Sequence, residues 1–173
     1  LFIEKLRYVP NFSRPKTFNE KIYYRKRNWQ NNLFIQCADK VRVKEYVAAL
    51  CGPDIIIETY HVGDSIAVEI VKELIEAKGG IVIKTNHDSG GVAFLDQGST
   101  DEEVTLAVAA ITGRLGKDFG GAKAEGWYSR IEPKILVERR LYPTLNDQEL
   151  LDYKFHVFTR EDAEEPFIVL QID

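Results

Sequence analysis

Residues 79–95 read Gly79-Gly80-Ile81-Val82-Ile83-Lys84-Thr85-Asn86-His87-Asp88-Ser89-Gly90-Gly91-Val92-Ala93-Phe94-Leu95. Three β-branched apolar residues end in a lysine, a short polar turn with two glycines follows, and a second apolar run closes the stretch. The pattern predicts strand, loop and strand. A run apolar on both faces is buried, so the lysine at its end must reach water or meet an anion. Gly90 and Gly91 permit positive φ and close backbone approach. Asn86, His87 and Ser89 set side-chain donors beside exposed amide N–H groups, which together make an anion-binding nest. Lys84 precedes the glycines, so this is not a Walker-type phosphate loop, and no Gly-x-Gly-x-x-Gly opens a helix. Taken alone, a plain hairpin with a solvated lysine fits the stretch equally well.

Upstream, Ile70, Val71, Leu74 and Ile75 form the apolar stripe of a helix predicted over Ile66–Lys78, with Gly79-Gly80 at its C-terminal end. The β-rich run Asp54–Val62 predicts a strand. Before it, Val43, Tyr46, Val47 and Leu50 fall at i, i+3, i+4 and i+7 of a helix stopped by Gly52-Pro53. Asp39 suits its N-cap, and Lys40 then lies in the first turn, where the helix dipole disfavours a cation unless an anion such as phosphate is bound. Thr17 and Glu20 have capping-box spacing ahead of a helix over Phe18–Arg27, whose basic face reads most simply as a solvated one. Leu1–Arg14 shows little period and predicts an extended arm with a turn at Pro10-Asn11.

Downstream, a second capping box at Thr100 and Glu103 opens a helix with the stripe Val104, Ala107, Val108, Ile111 and Leu115. Gly116, Gly120, Gly121 and Gly126 make the next segment a loop, which reads first as surface disorder and second as a lid close to a phosphate site. Pro133 opens the strand Lys134–Glu138, and a polar turn follows about Asn146-Asp147. Asp152–Phe158 alternates in period two, Thr159–Pro166 is an acidic hairpin loop, and Phe167–Ile172 returns antiparallel.

The chain of 173 residues is long enough for one domain or two small lobes, and its 45% hydrophobic and 29% charged content is that of a globular protein. With 23 basic and 27 acidic side chains, its net charge of −4 does not draw in nucleic acid or anionic lipid, so any anion site is local. No apolar run has the length of a membrane span, and no signal peptide is visible. Cys37 and Cys51 lack metal-type spacing and read as reduced thiols, which predicts a cytoplasmic location. Methionine is absent and the last strand pattern runs to Asp173, so the chain reads as part of a longer protein whose sheet continues beyond it.

Lys40, Lys84, Glu138 and Asp152 therefore stand at the ends of elements. Two lysines converging on a triphosphate, with carboxylates available to base and sugar, make a nucleotide site without a Walker loop. The segments Pro15-Lys16-Thr17-Phe18-Asn19-Glu20-Lys21-Ile22, Ala38-Asp39-Lys40, Lys84-Thr85-Asn86-His87-Asp88-Ser89-Gly90, Pro133-Lys134-Ile135-Leu136-Val137-Glu138 and Asp152-Tyr153-Lys154-Phe155 resemble the successive motifs of one family. That family is the teichuronopeptide-biosynthesis (TupA-like) ATP-grasp family, and the motifs run in its order over nearly the whole chain.

The resemblance implies an α+β, ATP-grasp-like fold of mostly antiparallel sheets with flanking helices. Residues 1–78 would form an N-terminal helical and α/β region, and residues 79–173 a nucleotide-binding region whose C-terminal part is missing. It implies ATP and Mg²⁺ as cofactors and an ATP-dependent carboxylate–amine ligase of cell-surface polysaccharide biosynthesis, acting on a carboxylate-bearing saccharide or amino acid. Carried over, Lys40 and Lys84 hold the α/β-phosphates, while Asn86, His87, Ser89, Gly90 and Gly91 cover the β/γ-phosphates. Glu138 accepts from the adenine amino group, and the backbone near Arg140 and Leu141 reads the base edge. Asp152 contacts the ribose or, with Lys154, the phosphates.

Three departures qualify this. Asp88 stands where the family usually has glycine, and a carboxylate there repels a triphosphate unless a cation offsets it. Arg139 replaces the second acid of many members. The family's metal-binding acid and Glu-x-Asn pair do not occur before Asp173, so no metal ligand and no catalytic residue is assigned. Two other classes stay open. A sugar transferase would bring an Asp-x-Asp metal motif, which the chain lacks, and a non-catalytic interaction module would leave Lys84 and Glu138 as solvated strand ends.

Overall fold

The computed structural model describes residues 2–29, 31–121, 124–143, 150–159 and 164–173. They form two compact units, Leu1–Arg140 and Leu141–Asp173. The first holds α1 (Phe2–Leu6), α2 (Phe18–Asn28), α3 (Leu33–Ala38), α4 (Arg42–Cys51), β1 (Thr59–Gly63), α5 (Val68–Lys78), β2 (Gly80–Thr85), β3 (Val92–Asp96), α6 (Asp101–Thr112) and β4 (Ile135–Arg139). The second holds the antiparallel ribbon β5 (Tyr153–Phe158) and β6 (Phe167–Ile172), paired from Tyr153 with Ile172 to Phe158 with Phe167. The domain boundary expected after residue 78 lies between α5 and β2, both in the first unit.

The first unit is built on a four-stranded sheet in the order β1-β4-β2-β3, antiparallel throughout. Alternation divides the sheet into two faces of different chemistry. Ile81, Ile83, Leu95, Ile135 and Val137 point one way and are buried with Val71 and Ile75 of α5 and Val104, Val108 and Ile111 of α6. The helical stripes seen in the sequence therefore supply the cover for this inner face. Lys84 and Glu138 lie on the other face, with Val82 opposite Glu138 and Lys84 opposite Leu136. That register makes Lys84 and Glu138 diagonal neighbours, close enough for their side chains to meet.

Both expected capping boxes are present, at Thr17/Glu20 and Thr100/Glu103. Glu20 does more than cap α2. It is buried and accepts backbone N–H bonds from Asn11 (2.7 Å), Lys16 (2.8 Å) and Thr17 (2.9 Å), which ties the preceding arm to the helix. These bonds, that of Asn11 foremost, hold its carboxyl down at about 2, against 4.5 in the unfolded chain. A depressed acid stabilises the fold above its unfolded value, and that stability is lost as pH falls from about 4.5 towards 2. Glu20→Gln is therefore expected to lower Tm at neutral pH, and the gap to wild type should close through this window; a gap independent of pH would refute the assignment.

The structure corrects four sequence expectations. The arm is not extended throughout, since Phe2–Leu6 is helical and ends at Arg7 with φ 57°. The strand expected over Asp54–Val62 is confined to Thr59–Gly63, because Pro53 starts a 3₁₀ turn over Pro53–Ile55. An unforeseen helix, α3, precedes α4. Asp39 is the C-cap of α3 and not the N-cap residue of α4, although its Oδ1 accepts from the N–H groups of Val41 (2.9 Å) and Arg42 (3.4 Å). Lys40 consequently lies in the turn between the helices and escapes the dipole conflict expected of it. The polar turn about Asn146-Asp147 and residues 160–163 of the acidic hairpin loop lie outside the described residues.

Candidate functional site

The outer face of the sheet carries a charge cluster at its centre. Glu138 is 4% exposed, an unfavourable place for a carboxylate unless cations meet it. Two do. Lys44 Nζ of α4 lies 2.5 Å from Oε1, and Lys84 Nζ pairs with Oε2. Lys44 also donates to Ile57 O (2.9 Å) and Thr59 Oγ1 (2.5 Å), because the register sets Thr59 beside Glu138. Nothing in the sequence singled out Lys44; its only signal was its position one helical turn after Lys40.

Lys40 is engaged with the loop that follows β2. Its N–H donates to Asn86 O (3.1 Å), and its ammonium donates to the carbonyls of Thr85 (3.1 Å), Asn86 (3.4 Å) and Asp88. Burial lowers the Lys40 pKa, with Asp88 opposing the shift and Lys84 adding to it. Lys40 thus braces the loop from the α3–α4 turn.

The loop side chains face inward more than the sequence suggested. Asn86 is buried: its Nδ2 donates to Asp39 Oδ1 (3.0 Å) and Glu132 O (3.0 Å), and its Oδ1 accepts from Lys134 N (2.7 Å). His87 is buried with Nε2 against Lys117 O (3.3 Å), so Nε2 carries the proton, and its ring meets Phe119 edge-on at 5.3 Å. Burial lowers its pKa and favours the neutral ring. Ser89 and Gly90 are exposed at the tip, where Gly90 takes φ 91°.

Asp88 does not stand against an incoming anion. It is 2% exposed and turned inward, paired with Arg114 Nε and 3.8 Å from Lys40 Nζ. Two cations around one carboxylate leave the loop net positive, which removes the repulsion expected from this residue. The packing is tight: a Cβ on Gly91 would fall 2.5 Å from Asp88 Oδ2 and overlap the Arg114 side chain. Arg114 in turn stacks on Phe119 at 5.0 Å. The glycine-rich segment after α6 therefore clasps the back of the loop. Thr85 Oγ1, His87 Nδ1 and Asp88 Oδ1 are buried without a hydrogen-bond partner among the described residues.

Lys40, Lys84, Asn86, His87, Ser89, Gly90, Gly91 and Glu138 thus come together in the first unit. Arg140 is at its end, with its N–H on Gly80 O (3.2 Å) and Nη1 on Asp96 Oδ2 (2.8 Å). Leu141 opens the second unit, where Lys154 lies 2.6 Å from Asp152 Oδ2 and 2.5 Å from Asp173 Oδ2.

The family model described as TupA-like ATPgrasp matches residues 20–173. The chain belongs to the TupA-like ATP-grasp family. No curated protein and no solved structure gave a match. The match to the TupA-like ATP-grasp family runs from the first turn of α2 through β6 and so includes the whole outer-face cluster. Membership carries nucleotide binding and the general use of ATP with a divalent cation. Among the described residues no group of three or more His, Cys, Asp or Glu is placed to hold a metal ion, so none is assigned to Mg²⁺. Among the described residues no helix is long and apolar enough to cross a membrane.

Proposed function

We propose that this TupA-like ATP-grasp chain binds ATP at the outer sheet face and serves an ATP-dependent carboxylate–amine ligase of cell-surface polysaccharide biosynthesis. The observation that carries the reading is the Lys44–Glu138–Lys84 trio beside the Gly90–Gly91 loop. A buried carboxylate stripped of its only cation is strongly destabilising. With two lysines on Glu138, Lys84 can turn to a phosphate while Lys44 keeps the acid neutralised. The exposed Ser89–Gly90 tip then offers backbone groups to the outer phosphates, and Lys40, on the carbonyls of the same loop, adds positive charge. Asn86 and His87 contribute by fixing the loop from beneath.

ATP, when bound, supplies the phosphoryl group that activates a carboxylate for attack by an amine. The residues of the chain position and neutralise, which is most of what phosphoryl transfer asks of a protein. Family resemblance extends the site to Glu138 and the backbone near Arg140 and Leu141 for the adenine.

ADP or ATP with Mg²⁺ is expected to raise Tm progressively with ligand concentration, by about 2.7 kcal/mol of stabilisation at a hundred times Kd. ADP release should require both a carboxylate and an amine acceptor. No thermal response at saturating nucleotide would overturn the binding reading, and ATP-independent sugar transfer would overturn the ligase reading.

A further inference from the structure

Charge is divided unevenly along the chain. Residues 1–28 carry eight Lys and Arg against two acids, while residues 29–173 carry fifteen against twenty-five. Of the two acids, Glu20 is taken up by backbone N–H groups. Of the eight cations, Lys26 pairs with Glu125 at 2.9 Å, and the other seven have no acid partner among the described residues. The helix dipole accounts for Arg25, Lys26 and Arg27 in the last turn of α2, but not for Arg7, Arg14, Lys16 or Lys21.

These cations are set among exposed apolar side chains. α2 turns Glu20 and Tyr23 inward, with Tyr23 against the Phe12 ring at 4.3 Å. Phe18, Lys21, Arg25 and Asn28 fall at i, i+3, i+7 and i+10 and form the opposite stripe, with Tyr24 beside it, and all five are exposed. Phe18 is 59% and Tyr24 42% exposed. The surface continues onto α3, where the Arg25 guanidinium lies 5.0 Å over the Phe34 ring. Arg25, Asn31, Leu33, Phe34 and Cys37 wall a groove of about 220 Å³ there.

Cations interleaved with exposed rings fit the headgroup layer of a bilayer, where the rings reach the acyl boundary while lysine and arginine meet lipid phosphates. About four to eight Lys and Arg on an amphipathic helix are enough for such a surface to recognise anionic lipid. A nucleic acid would meet the charges and stack on the rings, but it gives Leu33 and the apolar groove no cover. Salt screens charges more than about 10 Å away, so the patch acts locally despite the net charge of −4. We propose that the exposed stripe of α2 and the groove beside α3 form a docking surface for a membrane bearing anionic lipid. No residue of this surface belongs to the Lys44–Glu138–Lys84 cluster, so the docking does not depend on the nucleotide reading.

The test is co-sedimentation of the full chain with vesicles of phosphatidylcholine, alone or with about 30% phosphatidylglycerol, at about 0.05 M and about 0.5 M salt. The chain should bind only the anionic vesicles, and more weakly at the higher salt. At low salt Lys21→Gln should weaken binding about fivefold, and the double variant Lys21→Gln/Arg25→Gln about twentyfold or more. Phe18→Ala should weaken the binding that remains at high salt, where the glutamine variants differ little from wild type. An unchanged Tm in Lys21→Gln separates loss of docking from loss of fold. Equal binding to both kinds of vesicle, binding to neither, or unaltered affinity in the double variant or in Phe18→Ala would overturn the surface. So would duplex DNA bound more tightly than the anionic vesicles.

Discussion

Lys84→Ala is expected to abolish the nucleotide-dependent rise in Tm and also to lower the Tm of the unliganded protein. The first effect follows from removing the strand-end cation that meets the phosphates. The second follows from its present partner, since Lys84 pairs with a Glu138 that is 4% exposed. Breaking a buried pair costs about 3–5 kcal/mol when it leaves a charge alone. Here Lys44 remains at 2.5 Å, and the lysine side chains are 23% and 19% exposed, so solvent and the second cation reduce the loss to about 1–2 kcal/mol. For a chain of this size that is a fall of a few degrees. Lys44→Ala should lower the unliganded Tm similarly but leave part of the nucleotide response. Undiminished nucleotide affinity in Lys84→Ala would place the phosphate site elsewhere.

Gly91→Ala is expected to cost more than any other glycine substitution in the loop. A methyl group there must displace Arg114 or Asp88, disrupting a buried ion pair as well as overfilling the site. Overpacking costs about 1–3 kcal/mol and the disturbed pair adds to it, so a loss of about 3 kcal/mol or more is expected. Gly90→Ala meets open space and only bears the positive φ, at about 1–2 kcal/mol. Since the obstacle at residue 91 is the Arg114 side chain, the two sites must couple. In an Arg114→Ala background, which itself leaves Asp88 to Lys40, the further cost of Gly91→Ala should shrink by about 1 kcal/mol or more. Denaturant unfolding of the four proteins gives the coupling directly, and strict additivity would show that Arg114 does not enforce the glycine. Nucleotide affinity should fall in both single variants, because the loop loses its brace.

Sequence alone determined the local architecture wherever one signal dominated its window. The capping boxes at Thr17 and Thr100, the stripes of α5 and α6, and the strands on either side of the glycine loop all depend on residues within a few positions of one another. The ordered motifs also sufficed to place the chain in its family. Failures came where a local pattern was overruled nearby, as at Pro53, or was too short to read, as in α1 and α3. What only the tertiary structure decided is which charges meet. Lys44 joins Glu138 across 94 positions of sequence, Asp88 turns to Arg114 rather than to solvent, and Asn86 is consumed in bonds to Asp39, Glu132 and Lys134. Periodicity tells which face of a strand a side chain takes, but a one-residue change of register exchanges the faces and every partner on them. The pairing of Lys84 with Leu136 and Val82 with Glu138 is therefore what makes the strand-end lysine and the buried glutamate a single site.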